Sequence, residues 1–157
     1  MRKLGMSMIV TAALLAGGCS APQTGRLIGS VFDTDWGVLS QLRAFSTTAA
    51  HQADLVRALE SLSAGELAEQ VAGLDVQAEV IVTIAYDGCT HDDPSLALEG
   101  SELSVRYGTT YTRNCVRPIN NLALFAIGRA ELPDPVTLLV SETCGITLRQ
   151  GEVSSDC

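Results

Sequence analysis

The densest group of polar side chains that could do chemistry lies in one short stretch. Residues 87–93 read Asp-Gly-Cys-Thr-His-Asp-Asp, so that Asp87, His91, Asp92 and Asp93 offer three carboxylates and one imidazole. Carboxylate oxygens are ligands for Ca²⁺, and a mixed set of oxygens and imidazole suits Zn²⁺. The same residues also favour turns, because Asp side chains accept hydrogen bonds from nearby backbone N–H groups. The sequence therefore leaves two interpretations open, a divalent-metal site and an ordinary turn.

Catalysis has little support elsewhere in the chain. The only lysine is Lys3, and the only histidines are His51 and His91. Neither Gly-x-Ser-x-Gly nor His-Glu-x-x-His occurs, and these are local signatures of serine hydrolases and zinc peptidases. The sequence therefore predicts no catalytic residues and favours a non-catalytic protein.

The first nineteen residues have the layout of an export signal. Arg2 and Lys3 precede an apolar stretch over 4–16, which is shorter than the ~20 residues that a membrane-spanning helix needs. The stretch ends in Leu15-Ala16-Gly17-Gly18-Cys19, with small residues directly before a cysteine. This arrangement resembles the lipobox of bacterial lipoprotein precursors.

The resemblance implies cleavage before Cys19, which would make residues 1–18 the signal peptide and Cys19 the lipidated amino terminus. The covalent lipid is the only cofactor expected, and it would anchor the protein to a membrane. Ser20 implies sorting to the outer membrane, facing the periplasm. The alternative is an ordinary signal peptide cut nearby, which would leave Cys19 unmodified.

Four cysteines remain beside Cys19, namely Cys89, Cys115, Cys144 and Cys157. An even number of cysteines in an exported protein is expected to form disulfides. Among the three connectivities, we favour Cys89–Cys115 with Cys144–Cys157, because the second pair would fasten the polar end of the chain. The spacing lacks the Cys-x-x-Cys pairs of a zinc ribbon.

Charge limits the classes of partner. The chain has 10 Lys and Arg against 18 Asp and Glu, a formal net charge of −8. Such a surface repels a phosphate backbone and excludes general affinity for nucleic acid. It would instead steer a basic protein toward the chain, for example a cationic envelope hydrolase that the chain inhibits.

The pattern of apolar residues changes at Asp75. Over 36–73 the spacing is three or four residues, which predicts two or three short amphipathic helices, with Asp35 as the first cap. After Asp75 apolar and polar residues alternate, and a turn is expected at 99–101. About six strands over 75–150 predict a small antiparallel, Ig-like β-sandwich, so the expected fold class is α+β.

The expected organisation is one α+β domain over 35–157, preceded by a flexible tether of small residues over 19–34. The run Leu122–Ile127 is apolar on both faces and needs cover on two sides. Helices packed on the sheet would supply that cover, whereas a helical stalk beneath an independent sandwich is the alternative. These features together predict a binding module of the cell envelope, with metal binding and hydrolase inhibition as alternative functions.

Replacing Cys19 by serine should release the protein from membranes, because serine cannot form the thioether to the lipid. Radiolabelled palmitate should label the wild type and not the Cys19→Ser variant, and fractionation should move that variant to the soluble fraction. Wild-type protein that carries no fatty acid would show that the interpretation as a lipoprotein is wrong.

Overall fold

The computed structural model describes residues 23–111 and 115–156, and within them the chain forms nine strands, three α-helices and one 3₁₀ turn. The elements in chain order are β1 Arg26–Val31, α1 Trp36–Leu39, β2 Phe45–Ser46, α2 Ala49–Ser61, α3 Gly65–Ala72, β3 Glu79–Asp87, β4 His91–Glu99, β5 Glu102–Thr110, β6 Asn120–Gly128, the 3₁₀ turn Arg129–Glu131, β7 Val136–Ser141, β8 Cys144–Arg149 and β9 Glu152–Ser155. The fold is therefore rich in β-structure, and its described α-helices all lie between β1 and β3.

β1 occupies part of the stretch that the sequence predicted to be a flexible tether over 19–34. Residues 26–31 pair with β6 as an antiparallel edge strand. Gly29 lets β1 pack closely against α3, because a Cβ at this position would lie 2.8 Å from Leu67 Cδ1. The tether prediction is therefore wrong for β1, while residues 19–22 lie outside the described part of the chain.

The helices occupy the predicted stretch 36–73, but they follow β1 and are not the first element of the fold. Asp35 caps α1 as predicted, because its carboxylate accepts a hydrogen bond from Gly37 N–H at 2.6 Å. Thr48 caps α2 by accepting a hydrogen bond from His51 N–H at 3.2 Å. Such caps satisfy N–H groups that have no partner within the helix, so α1 and α2 begin at defined residues.

The strands form two sheets. The first has the order β1-β6-β3-β2 and is antiparallel, whereas the second has the order β4-β5-β7-β8-β9 and is antiparallel except between β5 and β7. β4 and β5 form the predicted hairpin, and Gly100 in its turn has φ +62°, a conformation open to glycine without steric cost. The structure has nine strands where the sequence predicted six, because β1, β2 and β9 are short or rich in small and polar residues and show no strand pattern in the sequence. The β5–β7 pair is parallel, which departs from the expected antiparallel arrangement.

One hydrophobic core lies between the two sheets. Alternate side chains of β3 and β6 meet the inward side chains of β4, β5, β7 and β8 there. Its most buried large members are Phe45, Val80, Val82, Leu96, Leu103, Phe125, Ile127 and Leu138. The two sheets therefore pack face to face, as in a sandwich.

A second core lies on the other face of the first sheet, beneath the helices. Its buried members are Leu39, Leu55, Leu59, Leu67, Ala68, Val71, Val76, Ile81, Leu122 and Leu124. The run Leu122–Ile127 is thus covered on both faces, by helices on one side and by the second sheet on the other. The helices are therefore a packed layer of the domain and not a stalk.

Leu59 is fully buried, so Leu59→Ala should lower the free energy of unfolding by about 2–5 kcal/mol through lost burial and the cavity left behind. Because helices and sheets share a core, Trp36 fluorescence and the far-ultraviolet signal should still change at one, lower midpoint. Leu27→Ala, at a leucine that is 43% exposed, is the matched control and should have a much smaller effect. Two separate midpoints in the Leu59 variant would contradict the shared core.

Candidate functional site

The residues of the possible metal site form local hydrogen bonds in the structure. Asp87 ends β3, and its carboxylate accepts hydrogen bonds from Cys89 N–H at 2.8 Å and from Thr90 Oγ1 at 3.1 Å. Asp92 accepts one from Asp93 N–H at 2.9 Å. These bonds match the turn interpretation. The described residues contain no group of three or more His, Cys, Asp or Glu side chains that could hold a metal ion.

A cleft opens where both sheets lose a strand partner. In the first sheet, β2 pairs only with Ile81 and Val82 of β3. Beyond Thr83, that edge of β3 has no neighbouring strand among the described residues. In the second sheet, β5 pairs with β7 only over 102–104, and the two strands then separate. The cleft lies between these two unpaired edges.

The cleft has a volume of about 610 Å³ and mainly apolar walls. One wall comes from α1 and the segment after it, and the other comes from β5, β7 and β8. The wall residues include Trp36, Leu39, Leu42, Val105, Leu138 and Ile146. Sites that bind small ligands usually have volumes of about 300–1,000 Å³ and predominantly apolar linings, so this cleft is a candidate binding site.

Large apolar side chains are exposed at the mouth of the cleft. Trp36 is 60% exposed, Val140 58% and Leu139 38%, and all three line the cleft. Scattered exposed apolar residues are normal, but a contiguous group marks an interaction surface. Helical spacing places Trp36 on the same predicted face as buried Leu39, so the sequence pattern could not reveal its exposure.

Thr83 places an unpaired polar group in this apolar lining. The residue is 7% exposed, and its Oγ1 is buried with no hydrogen-bond partner. A buried hydroxyl in that position destabilises the fold by about 1–3 kcal/mol. A ligand that reaches Thr83 with a donor or an acceptor would remove this cost. No motif in the sequence marks Thr83, because it fits the alternation of an ordinary strand.

One residue of the cleft lining, Tyr107, belongs to a group of packed aromatic rings. The Tyr107 ring lines the cleft, and the His91 imidazole stacks on it with ring centroids 4.1 Å apart. The Tyr86 ring lies 5.7 Å from Tyr107. Burial raises the pKa of both tyrosines, because a phenolate would lose its hydration there. Both phenols therefore stay neutral at neutral pH.

A disulfide fastens the turn after β3 to the segment before β6. Cys89 and Cys115 are bonded, with Cα atoms 6.0 Å apart, which confirms that predicted pair. Cys144 is also disulfide-bonded. Cys157, its predicted partner, and Cys19, the predicted lipidation site, both lie outside the described residues.

An ion pair links the same segment to the end of β1. Arg117 Nη1 donates to Asp33 Oδ1 at 2.7 Å, and Nη2 donates to Oδ2. This hydrogen bonding lowers the pKa of Asp33 and raises that of Arg117. Both side chains are well exposed, so the pair orients the segment and adds little stability.

No protein family model, curated protein or solved structure matches the chain. Among the described residues, no helix is long and apolar enough to cross a membrane. A function has to be argued from the chemistry of the site, because a fold alone hosts many functions.

Thr83→Val replaces an unpartnered hydroxyl by a methyl group of similar size, so it should raise the free energy of unfolding by about 1 kcal/mol. Thr34 is the matched control, because it is also 7% exposed but its Oγ1 donates to Asn120 O at 2.8 Å. Thr34→Val should lower stability by a similar amount. Chemical denaturation measures both changes, and a loss of stability in Thr83→Val would show that its hydroxyl is satisfied in the folded state.

Proposed function

We propose that the chain is a non-catalytic binding module of the bacterial cell envelope, anchored by lipid on Cys19, which binds its partner in the cleft. The observation that carries the binding role is the cleft itself, with apolar residues exposed at its mouth and Thr83 unpaired in its lining. The anchor is supported by the resemblance of residues 1–20 to a lipobox. The proposal needs no catalytic residue and no cofactor beyond the lipid.

The proposed location is the outer membrane, with the domain facing the periplasm. Ser20 after the lipidated cysteine supports sorting to that membrane, by resemblance to lipoprotein precursors. The Cys89–Cys115 disulfide is consistent with an oxidising compartment, where such bonds form and persist. The membrane is thus a partner through the anchor, and the cleft is left to bind something else.

Charge favours a basic protein as that partner. Removal of the signal peptide would take away Arg2 and Lys3 and no acidic residue, so the mature charge would be 8 − 18 = −10. A net charge of this sign steers a basic protein toward the surface and speeds association. A cationic hydrolase that the chain inhibits is one form of this partner. The exposed apolar mouth would supply the short-range contacts that steering alone lacks.

Binding in the cleft can be tested with N-phenyl-1-naphthylamine, a probe that brightens when it leaves water. The wild type should enhance its emission, and Val140→Asp should weaken binding at least about tenfold by placing a charge at the apolar mouth. Val116→Asp is the matched control, because Val116 is fully exposed and does not line the cleft. Equal weakening by both substitutions, or no emission change with the wild type, would contradict the cleft as a binding site.

A further inference from the structure

The open edge of β3 lies inside the cleft. The last hydrogen bond toward the β2 side runs from Thr83 N–H to Ala44 O at 2.9 Å. Along an antiparallel strand, alternate residues direct their backbone groups to the same neighbour. Ala85 and Asp87 are therefore the next residues that face this edge, and both are exposed. No strand of the described chain pairs with the edge there.

The two walls of the cleft stand on opposite sides of this edge. Leu39 and Leu42 belong to the helix side of the first sheet, whereas Val105 and Ile146 belong to the second sheet. A strand points successive side chains to opposite faces. A strand laid along the edge would therefore place its side chains on the two walls in turn. Backbone pairing combined with such alternating contacts is how sheet edges bind extended peptides.

We infer that the occupant of the cleft is an extended segment of a partner protein that adds a strand to the open edge of β3. The inference rests on the proposed function, because it names what the cleft binds. An acyl chain would fill the apolar volume but would leave the N–H and C=O groups of Ala85 without partners. An extended peptide satisfies these groups and fills the volume together.

Charge specifies the ends of this segment. Glu142 lines the cleft and forms no ion pair with any described residue. Asp87 lies at the end of the open edge. A peptide that is apolar in its middle and carries Lys or Arg at its ends therefore complements the cleft. These ends agree with the basic partner that the net charge favours.

The test uses a display library of peptides of about nine residues, which alternate apolar and random positions and end in Lys or Arg. Selection on the mature chain should enrich peptides that, once synthesised, compete with N-phenyl-1-naphthylamine. Methylating the backbone N of alternate peptide residues should weaken binding at least about tenfold in the register that faces β3. Methylation in the other register is the matched control and should leave binding unchanged.

Ala85→Pro is the corresponding change in the protein. Proline removes the N–H at the open edge and leaves the pairing of β3 with β6 in place. This variant should bind the peptides at least about tenfold more weakly. A far-ultraviolet spectrum and an unfolding midpoint close to those of the wild type show that the variant has folded.

Four results would count against the inference or the proposed function. Equal effects of methylation in both registers, or no enriched peptide, would overturn the added strand. Displacement of the probe by sodium myristate and by no peptide would also overturn it, while leaving the cleft as a binding site for acyl chains. Failure of the wild type to bind the probe at all is the result that contradicts the proposed function, so the two failures are distinguishable.

Discussion

β6 is the constraint on which the rest of the fold depends. Residues 121–127 are all buried, so this strand must be covered on both faces. Leu122 and Leu124 face the helices, whereas Phe125 and Ile127 face the second sheet. β1 and β3 pair with its two edges and satisfy backbone groups that would be costly to bury without partners. This one strand needs the helices and the second sheet to cover its faces, and it needs the flanking strands to pair with its edges.

The cleft exists because the elements beside the long strands are shorter than those strands. β2 has two residues and α1 has four, while β3 and β5 have nine each. The long strands therefore continue past their short neighbours and expose unpaired edges. An open edge can pair with any passing strand, which proteins normally prevent. Here the edge of β3 lies inside the cleft, between a wall from the helix side and a wall from the second sheet.

The sequence predicted the strands whose side chains alternate, because a half-buried strand needs apolar residues on one face. β4, β5, β7 and β8 follow that rule. β3 was also predicted from alternation although residues 80–84 are all buried, and β6 was predicted from its continuous apolar run. β1 and β9 do not follow the rule, since they are edge strands rich in small or polar residues. For Asp87, the turn was one of two interpretations that the sequence left open. The sequence could not predict the cleft, because Thr83, Trp36 and Val140 each fit their local pattern and come together only in the tertiary structure.

The start of β1 limits how far the cleft can stand from a lipid anchor. Gln23 pairs with Ala97 in the domain. The segment that could separate an anchor at Cys19 from the domain is therefore short. β1 ends at Val31, opposite Leu122 in the cleft lining, and the chain from Cys19 to that point reaches at most about 40 Å. A chain anchored at Cys19 would thus hold this part of its cleft within about 40 Å of the anchor. A partner would have to come to the membrane, because the domain could not reach out to meet it.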